Sequence, residues 1–350
     1  MKFTYDLTVA IPTYNRADFL FRQLTDLCKQ ITRNSSIEIL ISDNCSEDST
    51  RDVIEEFTKQ YDFINYFRQE KNIGLDGNVL SCYENANGRY IWFLSDDDVI
   101  FDDAVQRVSQ NIEELSPSVM AFSFVNLGFK SAYNQGINTY REYNDFTTRE
   151  SIKDFFKVIM ISALVLKKDN LDINYLKSCS PTIFPQITLA LAILKNNFRF
   201  IACEASIVWR EPGYITSNFF ELYCINPRLA IKNAHMDQII EKNLLKFTEK
   251  SLRDYVKLSI LERIGYYHSK VGFPLRTLML GFKEYKMNLL NIAIMVLCYM
   301  ISKAPKIFIL YMVITFKALK SFSLKKGLEY KRDLDLHVYS KIEKAKFSDV

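Results

Sequence analysis

Three consecutive aspartates, Asp96, Asp97 and Asp98, follow an unbroken apolar and aromatic run, Tyr90-Ile91-Trp92-Phe93-Leu94, inside the stretch GRYIWFLSDDDVIF (88–101). A run this short and aromatic reads as a central strand covered on both faces rather than as an amphipathic helix. An unpaired carboxylate is costly to bury, so the aspartates belong where the strand leaves the sheet and meets a cleft. Clustered oxygen ligands suit a hard cation such as Mg²⁺ or Mn²⁺, which keeps several waters and takes further ligands from a substrate phosphate. A solvated acidic turn would carry the same residues, so the surrounding elements have to separate the two readings.

Those elements alternate. Leu7 to Ile11 (LTVAI) is a β-branched strand cut off by Pro12 and followed by the loop Pro12-Thr13-Tyr14-Asn15-Arg16. From Ala17 to Ile31 the apolar residues Leu20, Leu24, Leu27 and Ile31 fall on one helical face. Ile37 to Ile41 (IEILI) is a second strand, and the polar loop from Ser42 to Thr50 leads into a helix over about 50–59 with Val53, Ile54 and Phe57 inward. A weaker strand at 65–68, then a helix opened by Asn72-Ile73-Gly74-Leu75-Asp76-Gly77-Asn78, brings the chain to the strand at 90–94. Strands alternating with helices imply βαβ units and a mainly parallel sheet flanked by helices. Three polar segments, 12–16, 43–48 and 96–98, then follow the carboxyl ends of strands, the edge at which open α/β sheets bind ligands.

Composition bounds the reading. A chain of 350 residues, 48% hydrophobic and 25% charged, can bury a full core and is large enough for two domains. The seven cysteines (28, 45, 82, 179, 203, 224, 298) form no CxxC pair and the three histidines lie far apart, which predicts neither a zinc site nor a disulfide framework. Tyr5 and Asp6 stand where a signal peptide would need its apolar stretch, so the catalytic part is expected in the cytoplasm. The net charge of +4 conceals a split: residues 229–350 hold 22 Lys and Arg against 11 Asp and Glu, whereas residues 1–228 hold 23 against 30. The chain is therefore expected to divide at 228/229 into an acidic catalytic domain and a basic helical module.

With these segments in hand, the spacing of AIPTYNR (10–16), ISDNCSED (41–48), NIGLDGN (72–78) and GRYIWFLSDDD (88–98) resembles the nucleotide-diphospho-sugar transferase domain of the family 2, GT-A-fold glycosyltransferases. The resemblance covers about 5–210, and the FLSDDD and SDN variants look nearest to bacterial enzymes of O-antigen or capsule synthesis, abequosyltransferase-like members included. It implies that Pro12, Thr13, Tyr14 and Arg16 line the base and phosphate side of a donor pocket, with Asp43 bonding base or ribose. Asn72, Gly74 and Asn78 would shape the loop beside the nucleotide, glycine allowing a turn that a side chain would block. Asp96 to Asp98 stand at the family's DxD metal motif. Because Ser95 occupies the first position of the common Asp-x-Asp-Asp form, Asp97 is expected as direct ligand, Asp96 toward the ribose and Asp98 as a second ligand or behind it. Mg²⁺ or Mn²⁺ would bridge the donor phosphates and stabilise the departing diphosphate.

The second half departs from that pattern. Val119 to Phe124 reads as a strand, Asn126 to Asp145 as an excursion over the acceptor side, and 149–160 and 185–195 as helices. An inverting member of the family usually carries its general base, an Asp in an acidic pair, in the region matching Ser180 to Gln186; here the residues are Ser-Pro-Thr-Ile-Phe-Pro-Gln. Asp169, Asp172, Glu204 and Glu211 are the remaining candidates, with a base from another loop or a different stereochemical course as alternatives. Gln186 can still position substrate. Trp209 suits the core as well as a sugar-stacking platform, and Arg210 is a candidate phosphate contact.

Beyond residue 229 helical pattern dominates. Two apolar segments, at about 288–302 and 307–319, are separated by Pro305 and fringed by lysines 303, 306, 317, 320, 325 and 326; neither apolar run reaches the length that spans a bilayer. They suit interfacial anchoring on an anionic leaflet, a partner that the apolar runs favour over nucleic acid. The alternative is a buried helical pair packed on the catalytic domain or on another subunit, which would make a homo-oligomer. The reading that unites these parts is a glycosyltransferase, peripheral on the inner face of the cell membrane, moving one sugar from a nucleotide-diphosphate donor to a lipid-linked saccharide. A sugar nucleotidyltransferase would show a glycine-rich phosphate loop where this chain has PTYNR, and a non-catalytic binding or scaffold protein would explain the missing acidic pair. A dinucleotide oxidoreductase lacks its GxGxxG.

Overall fold

The alternating segments fold, in the computed structural model, into a nine-stranded sheet with helices against both faces. The structure describes residues 3–32, 35–126, 139–179, 182, 184–210, 225–248 and 296. The first half contains β1 (Tyr5–Thr13), α1 (Ala17–Gln30), β2 (Ile37–Asp43), α2 (Thr50–Gln60), β3 (Ile64–Arg68), α3 (Gly74–Asn85) and β4 (Gly88–Phe93). After it come β5 (Val99–Ile100), α4 (Ala104–Leu115), β6 (Val119–Asn126), β7 (Tyr140–Tyr143), α5 (Arg149–Phe155), β8 (Leu164–Lys167), α6 (Ile173–Ser178), α7 (Pro185–Asn196), β9 (Phe200–Arg210) and α8 (Asn226–Asn233). Two 3-10 turns, Phe156–Ile159 and Ile161–Ala163, precede β8.

Strand order is β3-β2-β1-β4-β8-β6-β9-β5, with β7 also pairing to β9. β1, β2, β3, β4, β6 and β9 run in one direction, and β5, β7 and β8 run against them. The parallel quartet matches the sequence reading, and every antiparallel pairing comes after β4. β1 has β2 on one side and β4 on the other, so the strand order reverses there and a crevice opens at the carboxyl ends. That is the edge carrying the polar loops.

Burial explains the order of elements. Leu7, Val9 and Ile11 of β1 point to one face, where Leu20, Leu24 and Leu27 of α1, Ile54 and Phe57 of α2, and Val105, Val108 and Ile112 of α4 cover them. Each such side chain removed from water stabilises the fold by roughly 1.5–3 kcal/mol. α3 covers β1 and β2 separately, and α7 packs with α3, β6 and β8. The Trp92 indole is fully buried, and its Nε1 donates to the Ser162 carbonyl at 2.8 Å, so no polar atom of the ring is stranded.

Several boundaries differ from the sequence pattern for identifiable reasons. β1 continues through Pro12 to Thr13. The Ala10 carbonyl accepts from Leu94 N toward β4 and the Thr13 carbonyl from Asn44 N toward β2. By alternation Pro12 faces the side from which β4 has already departed, so its missing N–H breaks no ladder bond. The helix expected over 149–160 stops at Phe155 and continues only as the 3-10 turn. Within the excursion expected over 126–145, β7 adds an edge strand. Of the helices expected at 288–302 and 307–319 only Val296, which is helical and exposed, is among the described residues. Met1–Gly213 and Asn226–Thr248 form one compact unit, and Tyr214–Ile225 and Glu249–Val350 another.

The amino ends of the parallel strands are tied by a buried carboxylate. Glu38 is fully buried; Oε1 accepts from Thr8 Oγ1 and Asn87 N, both at 2.6 Å, and Oε2 from Asn65 Nδ2 at 2.7 Å. Gly88 opens β4 beside this network, its N–H donating to Thr8 Oγ1 at 2.8 Å. A Cβ at Gly88 would stand 2.5 Å from Thr8 N and 2.7 Å from the Leu7 carbonyl carbon, backbone atoms that cannot yield separately. Gly88→Ala is expected to destabilise the protein by about 1–3 kcal/mol, seen as a lower urea midpoint in equilibrium unfolding.

Candidate active site

Asp96 is the buried centre of the crevice, at 4% side-chain exposure. Its Oδ2 accepts from Thr13 Oγ1 at 2.7 Å, across the gap between β1 and the end of β4, and its Oδ1 from the Arg16 guanidinium at 2.9 Å. The same guanidinium nitrogen reaches Asp97 Oδ2 at 2.7 Å. Burial pushes the Asp96 carboxyl up to about 6, against the pull of Arg16 and the Thr13 hydroxyl. Arg16 keeps 42% of its side chain exposed and Asp97 25%, so this charge pair forms the open wall of the site. Tyr14 is exposed beside it.

The loop that presents Arg16 is held by its neighbour, the 43–50 loop. Asn15 adopts a left-handed φ of 52°, which Asn tolerates, and its Oδ1 accepts from Glu47 N at 2.7 Å while its own N–H donates to Ser46 Oγ at 2.8 Å. Asp48 Oδ2 accepts from Ala17 N at 3.1 Å. Despite partial burial, bonds from the Thr50 hydroxyl and the Ala17 and Thr50 N–H groups hold the Asp48 carboxyl below its ordinary value. Asp43, at the end of β2, is fully buried: Ser46 N donates to Oδ1 at 2.8 Å, and Tyr66 OH and Arg68 approach Oδ2 at 3.3 and 3.5 Å. Asp43 therefore braces the crevice floor from inside.

The third loop is built from amides. Asn78 Nδ2 donates to the Ser42 carbonyl at 2.9 Å, and its Oδ1 accepts from Ser42 Oγ at 2.5 Å, stapling α3 to the end of β2. Asn72 Oδ1 accepts from Asn44 Nδ2 and Gly74 N, each at 2.9 Å. Gly74 stands at φ 77°, a conformation that a side chain would strain. Residues 70–75 are all exposed, with Ile73 and Leu75 presenting apolar surface at the rim.

The acidic triplet does not act as one group. Asp97 Oδ1 accepts from Ser95 Oγ at 2.5 Å. Asp98, expected as a second ligand or behind one, is buried, and its Oδ2 accepts from Ser162 Oγ at 2.6 Å, the arrangement of the position behind the ligand. Ser162 Oγ also accepts from Ser95 N at 2.9 Å, so the turn before β8 fixes the whole loop. Among the described residues no group of three His, Cys, Asp or Glu side chains forms a ready metal cage. Mg²⁺ commonly takes one or two carboxylates and completes its shell with waters and phosphates, and the part-exposed Asp97 fits as such a protein ligand.

The candidate bases are not gathered here. Asp169 follows β8 at the opposite edge, where Lys168 N donates to the Arg89 carbonyl at the start of β4, and its Oδ2 accepts from Asn196 Nδ2 at 2.8 Å. Asp172 caps α6 by accepting from Tyr175 N at 2.9 Å. Glu204 pairs with Arg141 at 2.6 Å. Glu211 lies outside the described residues; Trp209 and Arg210 end β9, paired through the backbone with Val99 and Asn126. Sequence reasoning missed the supporting residues Asn15, Asn44, Ser46, Asp48 and Ser162. The first four lie in or beside the quoted motifs, whereas Ser162 stands 64 residues from Asp98 and carries no local signal.

Comparison with known proteins agrees with this geometry. Residues 8–165 match the family described as Glycosyl transferase family 2. The abequosyltransferase RfbV of Salmonella typhimurium is 39% identical over 100 residues, 28% of this chain and 30% of that protein. The GalNAc(5)-diNAcBac-PP-undecaprenol beta-1,3-glucosyltransferase of Campylobacter jejuni is 29% identical over 171 residues, 47% of this chain and 54% of its own. The chain thus spans between 30% and 54% of the length of these curated relatives. S. aureus TarS 1-349, solved in complex with UDP, superposes with a TM-score of 0.52 at 17% identity over 71% of this chain and 72% of that one, a likeness of fold. The GT-A-like sheet, the loops at its switch point and the family match make residues 8–165 a glycosyl transferase family 2 domain.

Proposed function

We propose that this protein is a glycosyltransferase that moves one sugar from a nucleotide-diphosphate donor to a saccharide acceptor in bacterial surface polysaccharide synthesis. The observation that carries the reading is the Thr13–Asp96–Arg16–Asp97 cluster at the switch point of the sheet. A donor with two phosphates needs cationic and hydrogen-bonding groups at one strand edge, and Arg16 supplies a charged fork there. On this reading Thr13 and Asp96 would receive ribose hydroxyls, while Ser46 and Asp48 keep the Arg16 loop in place.

Asp97 is the residue that would hold Mg²⁺ or Mn²⁺. The ion, when bound, neutralises the diphosphate as it departs. Arg16 shares that task from the protein side, its guanidinium already beside Asp97 at 2.7 Å. The names of the relatives, one an abequosyltransferase and one acting on an undecaprenol-linked saccharide, support a lipid-linked acceptor here. The lysine-fringed apolar segments at 288–302 and 307–319 support placement on the inner face of the membrane, peripheral rather than spanning. Among the described residues no helix is long and apolar enough to cross a membrane. The absence of an acidic pair over 180–186 favours a second reading, a nucleotide-sugar-binding protein without transferase activity.

The two readings separate in one assay: release of nucleoside diphosphate from UDP-, GDP-, CDP- and dTDP-sugars, with membrane extract as the acceptor source. Transfer predicts release from one donor that requires Mg²⁺ or Mn²⁺ and falls on the order of 100-fold in Asp97→Ala. Binding of that nucleotide without release from any donor would support the non-catalytic reading. For Arg16→Ala, loss of a charge-assisted contact to phosphate is expected to weaken donor affinity about tenfold by titration calorimetry.

A further inference from the structure

Gln186 presents a buried polar atom that the fold does not use. It follows Pro185 in the first turn of α7 and is 3% exposed. Its Nε2 donates to the Ile159 carbonyl at 3.0 Å, which fixes the amide orientation and leaves Oε1 as the free end. That oxygen is buried and has no hydrogen-bond partner among the described residues. A buried carbonyl oxygen without a donor calls for one, and a bound hydroxyl can supply it.

Its surroundings belong to the site. Ile159 ends the 3-10 turn that leads to Ser162, the residue that holds both Asp98 and Ser95. On the other side, Asp76 in the first turn of α3 accepts from Thr182 N at 2.7 Å, and Thr182 Oγ1 accepts from Phe184 N at 3.1 Å. The start of α7 is thereby pinned between the α3 rim and the turn behind the acidic loop, at the carboxyl edge of the sheet. Arg16 and Thr13 lie on the β1 side of β4, whereas α7 packs against β8 and β6 on the other. A nucleotide diphosphate that reaches from Arg16 across the end of β4 would bring its sugar toward the start of α7.

We propose that Gln186 positions sugar in this site, its Oε1 accepting a hydrogen bond from a saccharide hydroxyl. This rests on the glycosyl-transfer reading. An amide oxygen is not basic enough to remove a proton near neutral pH, so the residue orients a hydroxyl and leaves deprotonation to another group. The hydroxyl belongs either to the sugar being transferred or to the acceptor, and both present the same donor chemistry.

The test compares Gln186→Leu, which removes the acceptor oxygen, with Gln186→Glu, which keeps one. Gln186→Leu loses both polar atoms, and Gln186→Glu keeps an acceptor oxygen but buries a carboxyl, so each is expected to lower the melting temperature, Gln186→Glu at least as much. Only Gln186→Leu is expected to lose about tenfold or more in kcat/KM for nucleoside diphosphate release, with nucleoside diphosphate affinity unchanged. Loss confined to release stimulated by membrane extract assigns the hydroxyl to the acceptor; equal loss in slow donor hydrolysis without extract assigns it to the donor sugar. Equal loss in both variants, tracking melting temperature, would make Gln186 a brace and overturn the proposal, as would unchanged release in Gln186→Leu. If the wild type releases nothing from any donor, the transfer reading itself fails and takes this one with it.

Discussion

One guanidinium nitrogen holds two carboxylates of different exposure at the mouth of this sheet: Arg16 lies 2.9 Å from Asp96 and 2.7 Å from Asp97. Asp96 is too deep to remain charged without help, since burial raises its carboxyl to about 6 even against the pull of Arg16 and Thr13. A carboxylate so placed is tolerated only because the charge and the hydroxyl face it directly. Removing the cation would leave an uncompensated acid between β1 and β4, so loop position, charge balance and pocket shape rest on the same contact.

That contact depends in turn on neutral hydrogen bonds. Arg16 follows a left-handed Asn15 whose side chain and N–H are both engaged by the 46–47 turn, and Ala17 N–H is received by Asp48. Asn78 and Asn44 tie the next loop to β2 and to Gly74. Amides serve well here because each offers donors and an acceptor from one rigid plane, and can join two backbone segments at once. The loops are therefore set by their neighbours rather than by their own conformational preferences.

The two edges of the sheet divide the work. At the amino edge Glu38 is consumed by Thr8, Asn65 and Asn87, and Gly88 is packed too closely for a side chain; that edge secures register. At the carboxyl edge polar groups retain exposure or, in Gln186, an unspent acceptor. The antiparallel half, with Ser162 on the turn before β8, supplies the back wall of the acidic loop.

The sequence by itself determined the parallel half, because buried β-branched strands and amphipathic helices have periods that can be counted, and it placed Thr13, Arg16, Asp43 and Asp96 at one edge because loops after parallel strands share an end. It also showed that no carboxylate stands over 180–186. Only the tertiary structure decided what the individual side chains do. The motif register alone distinguished the three adjacent aspartates in sequence; in the fold one is buried against Thr13 and Arg16, one is part-exposed, and one is turned to Ser162. Asp169 and Asp172 were indistinguishable from candidate bases until the antiparallel run of β8 carried them to the far edge. Partners 64 to 83 residues away set these outcomes. Contacts at that separation depend on strand direction and on burial, which have no local signature in the chain.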